Sequence, residues 1–312
     1  MSVRGGKLSI IMVNRDTKAL ALESLQMIRV SLNGISGEIF FVDNGSKDGS
    51  INAVASRFPE VNIIANTENL GFSRAVNQAI FRCNEEYILL LNPDVTIYAD
   101  TVGQLVNFMD KETGAGVVSP SLRYPDGSQQ AFCSYFPTLT RQFFQLTGLR
   151  ILFPSWLKRR FAISVGDKVQ PFEVDWVIGA CVIIRRNALE DVGGIDEDFF
   201  MYGEDLDFCY RLRKNGWRVY VLPDTRILHI GSPKDILRSG IFKEPLIHYT
   251  TYLFFKKHYG LISALLLAGI QKAVSLVRLS LWGMAFLIFP NIRDKAKMKL
   301  RIHYSCLRGF HG

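Results

Sequence analysis

Glu204, Asp205 and Asp207 place three carboxylates within four positions, directly after the aromatic run Phe199-Phe200-Met201-Tyr202-Gly203. Like charges so close raise one another's pKa values, so the block is costly unless its members are paired or do chemistry. A carboxylate there suits a general base. A second polar group, Asn92-Pro93-Asp94-Val95, follows the most apolar strand-like run. An oxygen ligand there suits Mg²⁺ or Mn²⁺, which take one or two protein oxygens and fill their shell with diphosphate. A third is Asp43-Asn44-Gly45-Ser46-Lys47-Asp48-Gly49-Ser50. An acid at a strand end can accept from the imide of a pyrimidine base, the glycines allow close backbone approach, and Ser50 can cap a helix. Both of these last segments are also ordinary turn chemistry. His229, in Leu228-His229-Ile230-Gly231-Ser232, is either a ligand to metal or phosphate or a structural histidine.

Alternating elements must position these groups. Residues 8–13, 38–42, 61–65 and 87–91 read as buried strands, and residues 19–32, 50–58 and 72–83 as the helices between them. Strands alternating with helices imply a mostly parallel α/β sheet covered on both faces. The polar loops follow the carboxyl ends of the strands, where such sheets bind ligands. Further on, residues 116–120, 174–184 and 217–222 have strand character, and residues 208–214 form a helix stopped by Asn215-Gly216. Residues 132–161 are aromatic and basic, with Phe143, Phe144, Phe153, Trp156 and Lys158-Arg159-Arg160, and are expected to be a flap or a surface helical insert.

The 312 residues suffice for a packed core, with 48% hydrophobic and 21% charged residues and a net charge of +8. Five scattered cysteines without CxxC spacing exclude a zinc knuckle and suit a reducing compartment. No leader pattern precedes the first strand, so the cytoplasm is expected. Residues 261–289 are apolar, interrupted chiefly by Gln271, Lys272, Ser275 and Arg278. Residues 291–312 then carry six Lys/Arg against one acid, a pattern that fits an anionic leaflet better than a DNA groove. The expected domains are residues 1–259 for the α/β fold and 260–312 for a membrane-association tail. A spanning helix would sink Arg278 or Lys272 into hydrocarbon at about 2.5–3.5 kcal/mol per charge. An in-plane helix is therefore expected, with its stripe of Gln271, Ser275 and Arg278 at the headgroups. Burial in an oligomer interface is the other reading.

In order and spacing, the segments SIIMVN, VDNGSKDGS, NTENLGFSRAVNQA, LLNPDV, YPDGS, DWVIGACVIIRR, GGIDEDFFMYGEDLDFCYRLRKNGW and HIGS resemble the family 2 inverting glycosyltransferases, in particular the rhamnosyltransferase-like branch of bacterial cell-surface polysaccharide synthesis. The resemblance spans residues 7–259 and implies a GT-A fold that binds a nucleotide-sugar. It assigns Asp43 to the base and Asn14, Asn69, Gly71, Phe72 and Asn77 to the nucleotide pocket. Asn92 and Asp94 stand at the family's metal motif, its first acid replaced by Asn, so Asp94 carries most of the metal binding, with His229 beside metal or diphosphate. Asp205 is implied as catalytic base, Glu204 as support for the acceptor, and Trp176 with Gly179 as acceptor floor. Arg15-Asp16 departs from the aromatic and Asn of relatives and leaves the first nucleotide contact open.

The reading that follows is a metal-dependent inverting transfer of L-rhamnose from dTDP-rhamnose to a polyprenyl-diphosphate-linked saccharide, at the cytoplasmic face of the inner membrane. UDP-galactose, UDP-GlcNAc and UDP-galactofuranose are alternative donors, because uracil and thymine offer Asp43 the same imide. A non-catalytic, membrane-attached sugar-nucleotide-binding protein is the alternative of another class, disfavoured because Asp94 and Asp205 are both present. A dinucleotide oxidoreductase would need GxGxxG where the chain reads Asn14-Arg15-Asp16-Thr17-Lys18. Nucleic-acid binding would need basic and aromatic residues interleaved on one face, and only residues 132–161 approach this.

Overall fold

The computed structural model describes residues 7–154, 163, 165–166, 168–231 and 243–308. These form two compact units, one from residues 7–136 and 163–231, the other from 137–154 and 243–308. The second unit thus begins ahead of residue 260 and takes in part of the 132–161 segment. Trp156 and Lys158-Arg159-Arg160 lie outside the described residues.

The first unit is built on the expected alternation of β1 (Leu8–Asn14), α1 (Lys18–Leu32), β2 (Gly37–Asn44), α2 (Ser50–Arg57), β3 (Asn62–Asn66), α3 (Phe72–Ile80) and β4 (Tyr87–Leu91). After β5 (Val95–Thr96) come α4 (Thr101–Lys111), β6 (Ala115–Arg123) and β7 (Cys133–Ser134). Then follow β8 (Phe172–Val174), β9 (Trp176–Val177), β10 (Cys181–Arg185), α6 (Arg186–Val192), α7 (Glu204–Lys214) and β11 (Arg218–His229). The main sheet runs β3-β2-β1-β4-β10-β6-β11-β5, with β8 also paired to β11. Strands β3, β2, β1 and β4 are parallel, whereas β10 runs antiparallel between β4 and β6. The core is apolar on both faces of the centre: every residue of β4 is buried, as are Ile10, Met12, Phe41, Val118 and Ile183. Each such side chain contributes about 1.5–3 kcal/mol of transfer free energy.

Two strand expectations change. The run 174–184 breaks into β8, β9 and β10, so that Gly179 falls in a loop at the edge of the sheet rather than in a ladder. Strand β11 continues seven residues past Leu222, although Pro223 cannot donate to a ladder. Its pairing with β6 shifts register between Leu222 and Arg226, so the missing N–H falls within the irregularity. This extension carries His229 to the site.

The second unit comprises α5 (Leu139–Thr147), α8 (Lys243–His258), α9 (Gly260–Ile288) and α10 (Arg293–Arg308). The described part of the expected flap is α5, capped by the Thr138 side chain and ended by left-handed Gly148. Helix α9 packs on α5, α8 and α10 and buries Ala264, Leu267, Gln271 and Ser275. Its apolar positions point the other way: Leu261, Ile262, Leu265, Leu266, Leu276, Val277, Leu281 and Leu287 are all exposed. A water-soluble helix turns its apolar stripe inward. The expected placing of the polar stripe at the headgroups is therefore corrected, because Gln271 and Ser275 face neighbouring helices.

Candidate active site

Parallel pairing aligns Asn14 with Asp43 at the carboxyl ends of β1 and β2. Both are fully buried, and Asn14 Nδ2 donates to Asp43 Oδ1 over 2.9 Å. The Ser46 amide donates to Asp43 Oδ2 at 2.9 Å, and Asn14 Nδ2 also reaches Ser46 Oγ. These bonds brace the turn after β2. Lys47 N donates to Asp16 Oδ1, and Lys18 N to Asp48 Oδ2, so the Arg15-Asp16 departure ties two loops together. Asp43 has no exposed surface. A base could reach its carboxylate only if the turn moved; here the side chain shapes the loop.

Asn44 was not singled out by sequence, yet it is the hub of the next loop. Its Nδ2 donates to Asn69 Oδ1 and Gly71 O, and its Oδ1 accepts from Leu70 N. Gly71 has φ +86°, and a Cβ there would lie 2.7 Å from the Phe200 ring and 2.8 Å from its carbonyl oxygen. Phe72 N donates to that same carbonyl at 2.8 Å. Asn69, Gly71 and Phe72 thus form the seat of the Phe199-Phe200 loop. Asn77 lies under the same loop. Its amide donates to Ile195 O and Glu197 Oε1 and accepts from Ile195 N, so both of its N–H donors are engaged with this loop.

The Asn92-Asp94 turn sits beside the amino end of β10, with Asn92 N donating to Ala180 O at 2.9 Å. Pairing of β5 with β11 sets His229 opposite Val95, and Ile230 N donates to Asp94 O at 3.0 Å. Asp94 Oδ2 lies 3.4 Å from His229 Nε2. His229 Nδ1 lies 2.7 Å from Gln130 Oε1, an oxygen that can only accept. With Nδ1 turned to Gln130, Nε2 faces the Asp94 carboxylate, and the two groups could hold a cation between them. Two protein ligands supported by an outer hydrogen bond fit a divalent ion completed by diphosphate and water. Among the described residues no larger cluster of His, Cys, Asp and Glu is gathered. Gln130 escaped the sequence reading. Its one signal was position, since the Tyr124–Gly127 turn returns the chain along β6 and delivers it beneath His229.

The acidic block opens α7, where negative charge meets the positive end of the helix dipole. Left-handed Tyr202 (φ 63°) and Gly203 (φ 98°) make the sharp entry. The three carboxylates have three surroundings. Asp207 pairs with Arg211 at 2.7 Å, and Arg211 also holds Val192 O and Gly194 O. Asp205 Oδ2 accepts from Gly179 N at 3.3 Å and its Oδ1 from Leu206 N at 2.8 Å. Gly179 therefore touches the Asp205 carboxylate directly. Glu204 borders an apolar cavity of about 20 Å³ together with the core residues Leu90, Val117 and Ile184, roughly room for one water. Its Oε2 has no hydrogen-bond partner among the described residues. Burial, reinforced by the Asp205 charge, pushes its carboxyl up to about 8. Its surroundings suit a neutral support behind Asp205 better than a group held out to an acceptor. Trp176 donates from Nε1 to Tyr135 O at 3.1 Å and stays half-buried in the β7–β9 pair.

Asn14, Asp43, Asp94, His229 and Asp205 thus lie at one edge of the sheet, by the carboxyl ends of β1, β2 and β4 and the amino end of β10. The family model described as glycosyl transferase family 2 matches residues 9–193. The N-acetylglucosaminyl-diphospho-decaprenol L-rhamnosyltransferase of Mycobacterium tuberculosis is 32% identical over 71% of this chain and 76% of its own length. The dTDP-rhamnosyl transferase RfbF of Shigella flexneri is 25% identical over 58% of this chain and 56% of its own. In fold, the chain is similar to the mannosyltransferase PcManGT of Pyrobaculum calidifontis, solved with GDP-Man and Mn²⁺, at a TM-score of 0.53, with 17% identity and coverage of 97% and 86% of the two chains. With the ordered motifs on a GT-A sheet and these likenesses together, the chain belongs to glycosyl transferase family 2, as a rhamnosyltransferase-like member.

Proposed function

We propose that this protein transfers L-rhamnose from dTDP-rhamnose to a lipid-linked saccharide, with inversion, at the cytoplasmic face of the membrane. The observation that carries the reading is Asp205, held at the head of α7 by Gly179 on the sheet edge that also bears Asp94 and His229. It is supported by relatives named as rhamnosyltransferases, one of them for a decaprenol-linked substrate.

In this mechanism the nucleotide lies across the loops braced by Asn14, Asp43 and Asn44. Asp94 and His229 would hold a divalent ion, which when bound would offset charge on the diphosphate. Asp205 accepts the proton of the acceptor hydroxyl as that oxygen attacks the anomeric carbon and the bond from that carbon to the diphosphate breaks, dTDP leaving with the electron pair, while neutral Glu204 leaves the negative charge of the pair on Asp205. Gly179 N keeps the Asp205 carboxylate oriented, and Trp176 offers an aromatic face for the acceptor.

Membrane attachment is supported by α9, whose exposed residues are chiefly apolar, interrupted by Lys272 and Ser280, and whose other face is covered. Helix α10 packs along α9 with exposed Arg293, Lys295, Lys297 and Arg301, and these charges would have to enter hydrocarbon if α9 spanned. In-plane attachment avoids that cost.

The test is transfer of labelled sugar to a polyprenyl-diphosphate saccharide by the purified full chain. dTDP-rhamnose, UDP-galactose, UDP-GlcNAc and UDP-galactofuranose are compared, each with Mn²⁺, Mg²⁺ or chelator. Transfer from dTDP-rhamnose that chelator abolishes is expected. Transfer from a UDP-sugar alone would reassign the donor, and full activity in chelator would remove the metal role.

A further inference from the structure

Residues 193–203 run from α6 to α7 without joining a strand or helix, so their backbone groups must find partners elsewhere. The start of the segment is tied to α7. Arg211 donates from Nη1 to Val192 O at 2.7 Å and from Nη2 to Gly194 O at 3.0 Å, while its Nε donates to Asp207 Oδ2. The middle is tied to α3. Asn77, only 4% exposed, donates to Ile195 O at 2.8 Å and to Glu197 Oε1 at 3.0 Å, and accepts from Ile195 N at 2.9 Å. One turn back on the same helix face, Ser73 Oγ donates to Phe199 O at 2.5 Å, and next to it Phe72 N donates to Phe200 O at 2.8 Å. Arg74 Nε stands 3.3 Å from Glu197 Oε2. Gly194 permits this close approach, since a Cβ there would lie 2.8 Å from Asn77 Oδ1.

The two helices joined by this strap serve different parts of the reaction. Helix α3 starts at Phe72, directly after the loop that Asn44 braces, and α7 starts at Glu204-Asp205, directly after left-handed Tyr202 and Gly203. A segment pinned to α7 at its start and to α3 along its middle has little freedom to shift. The side chains of α3 therefore set how far Asp205 stands from the nucleotide loop. With both N–H donors of its amide engaged, Asn77 has none left for a nucleotide.

We propose that Asn77 and Ser73 are positioning residues for the transfer: through residues 193–203 they hold Asp205 at its working distance from the nucleotide loop. The inference rests on the reading of Asp205 as the base.

The full chain is assayed with the donor it uses, and its affinity for dTDP (or for UDP, should the donor be a UDP-sugar) is read by calorimetry. Amide exchange is followed at Gly179, whose N–H reports where the Asp205 carboxylate stands. Asn77→Ala should lower kcat by about 10²-fold, the scale of a small misplacement of reacting groups. Nucleotide affinity and donor KM should stay near wild type, and exchange at Gly179 should quicken. Ser73→Ala should lower kcat in the same direction, and Ser73→Thr, which keeps the hydroxyl, should recover it. In an Asp205→Asn background the Asn77→Ala loss should vanish, because displacing a base already removed has no further effect. Matching melting midpoints in neutral detergent show that the variants are folded; should Asn77→Ala fail there, the two Ser73 variants carry the comparison. A raised donor KM at unchanged kcat returns Asn77 to the nucleotide and overturns the proposal. An equal loss in the Asp205→Asn background, or unchanged exchange at Gly179, overturns it too. If wild type transfers sugar from no donor tested, the transferase reading fails instead, and exchange at Gly179 alone decides whether the strap holds Asp205.

Discussion

Asp205 and Glu204 are adjacent carboxylates in opposite surroundings. Asp205 accepts two backbone N–H bonds, whereas Glu204 is buried against apolar side chains. Asp205→Asn keeps the shape and removes the base, so turnover should fall by about 10²–10⁴-fold while calorimetric donor affinity stays near wild type. Near-normal turnover would exclude Asp205 as the base. For Glu204 the sign is that of an acid with a raised folded pKa. The folded state holds its proton longer than the unfolded chain, so this stabilising difference is complete below the ordinary value of 4.5 and is lost as pH rises toward about 8. Wild type should therefore lose melting temperature relative to Glu204→Gln between pH 6 and pH 9, all else equal. Parallel melting curves across that range would show that Glu204 is not held neutral by the fold. Gln130 orients His229 in the manner of an outer-shell partner, so Gln130→Leu should weaken Mn²⁺ affinity by about 10–100-fold, read from metal titration of activity.

At the scale of elements, the site depends on loops holding loops. The Asn69–Phe72 segment is fixed from below by Asn44 and supports Phe200 above. Gly71 has φ 86° and ψ 165°, a region open essentially to glycine. Gly71→Ala should cost about 1–3 kcal/mol of stability from backbone strain alone, and the contact with Phe200 should displace the loop leading to Asp205. Denaturant unfolding reads the first effect and loss of turnover the second. A fully active, equally stable alanine variant would show that the two loops are not coupled.

For the whole molecule, the division of apolar surface decides where it works. The outward residues of α9 would make a soluble chain prone to association, and their exposure is consistent with a bilayer partner. Replacing Leu265, Val277 and Leu281 with Glu leaves the faces against α8 and α10 untouched. Each removes an apolar side chain whose transfer into the bilayer would contribute about 1.5–3 kcal/mol, so the triple variant should remain in the supernatant when wild type floats with vesicles. Continued flotation would place the attachment elsewhere.

Strands β1 to β4, their helices and the polar residues at their ends were legible in the chain, because local hydrophobic period and turn chemistry depend on neighbours a few residues away. The motifs also carried the family. Tertiary structure decided what distant segments do to one another. The Pro223 irregularity that lets β11 reach His229, the delivery of Gln130 beneath the imidazole, and the burial that separates Glu204 from Asp205 all depend on contacts between residues far apart in sequence. The polar stripe of α9 was visible as a period, but its direction was not. Periodicity shows that a helix has two faces, and only packing against α8 and α10 determines which of them is covered.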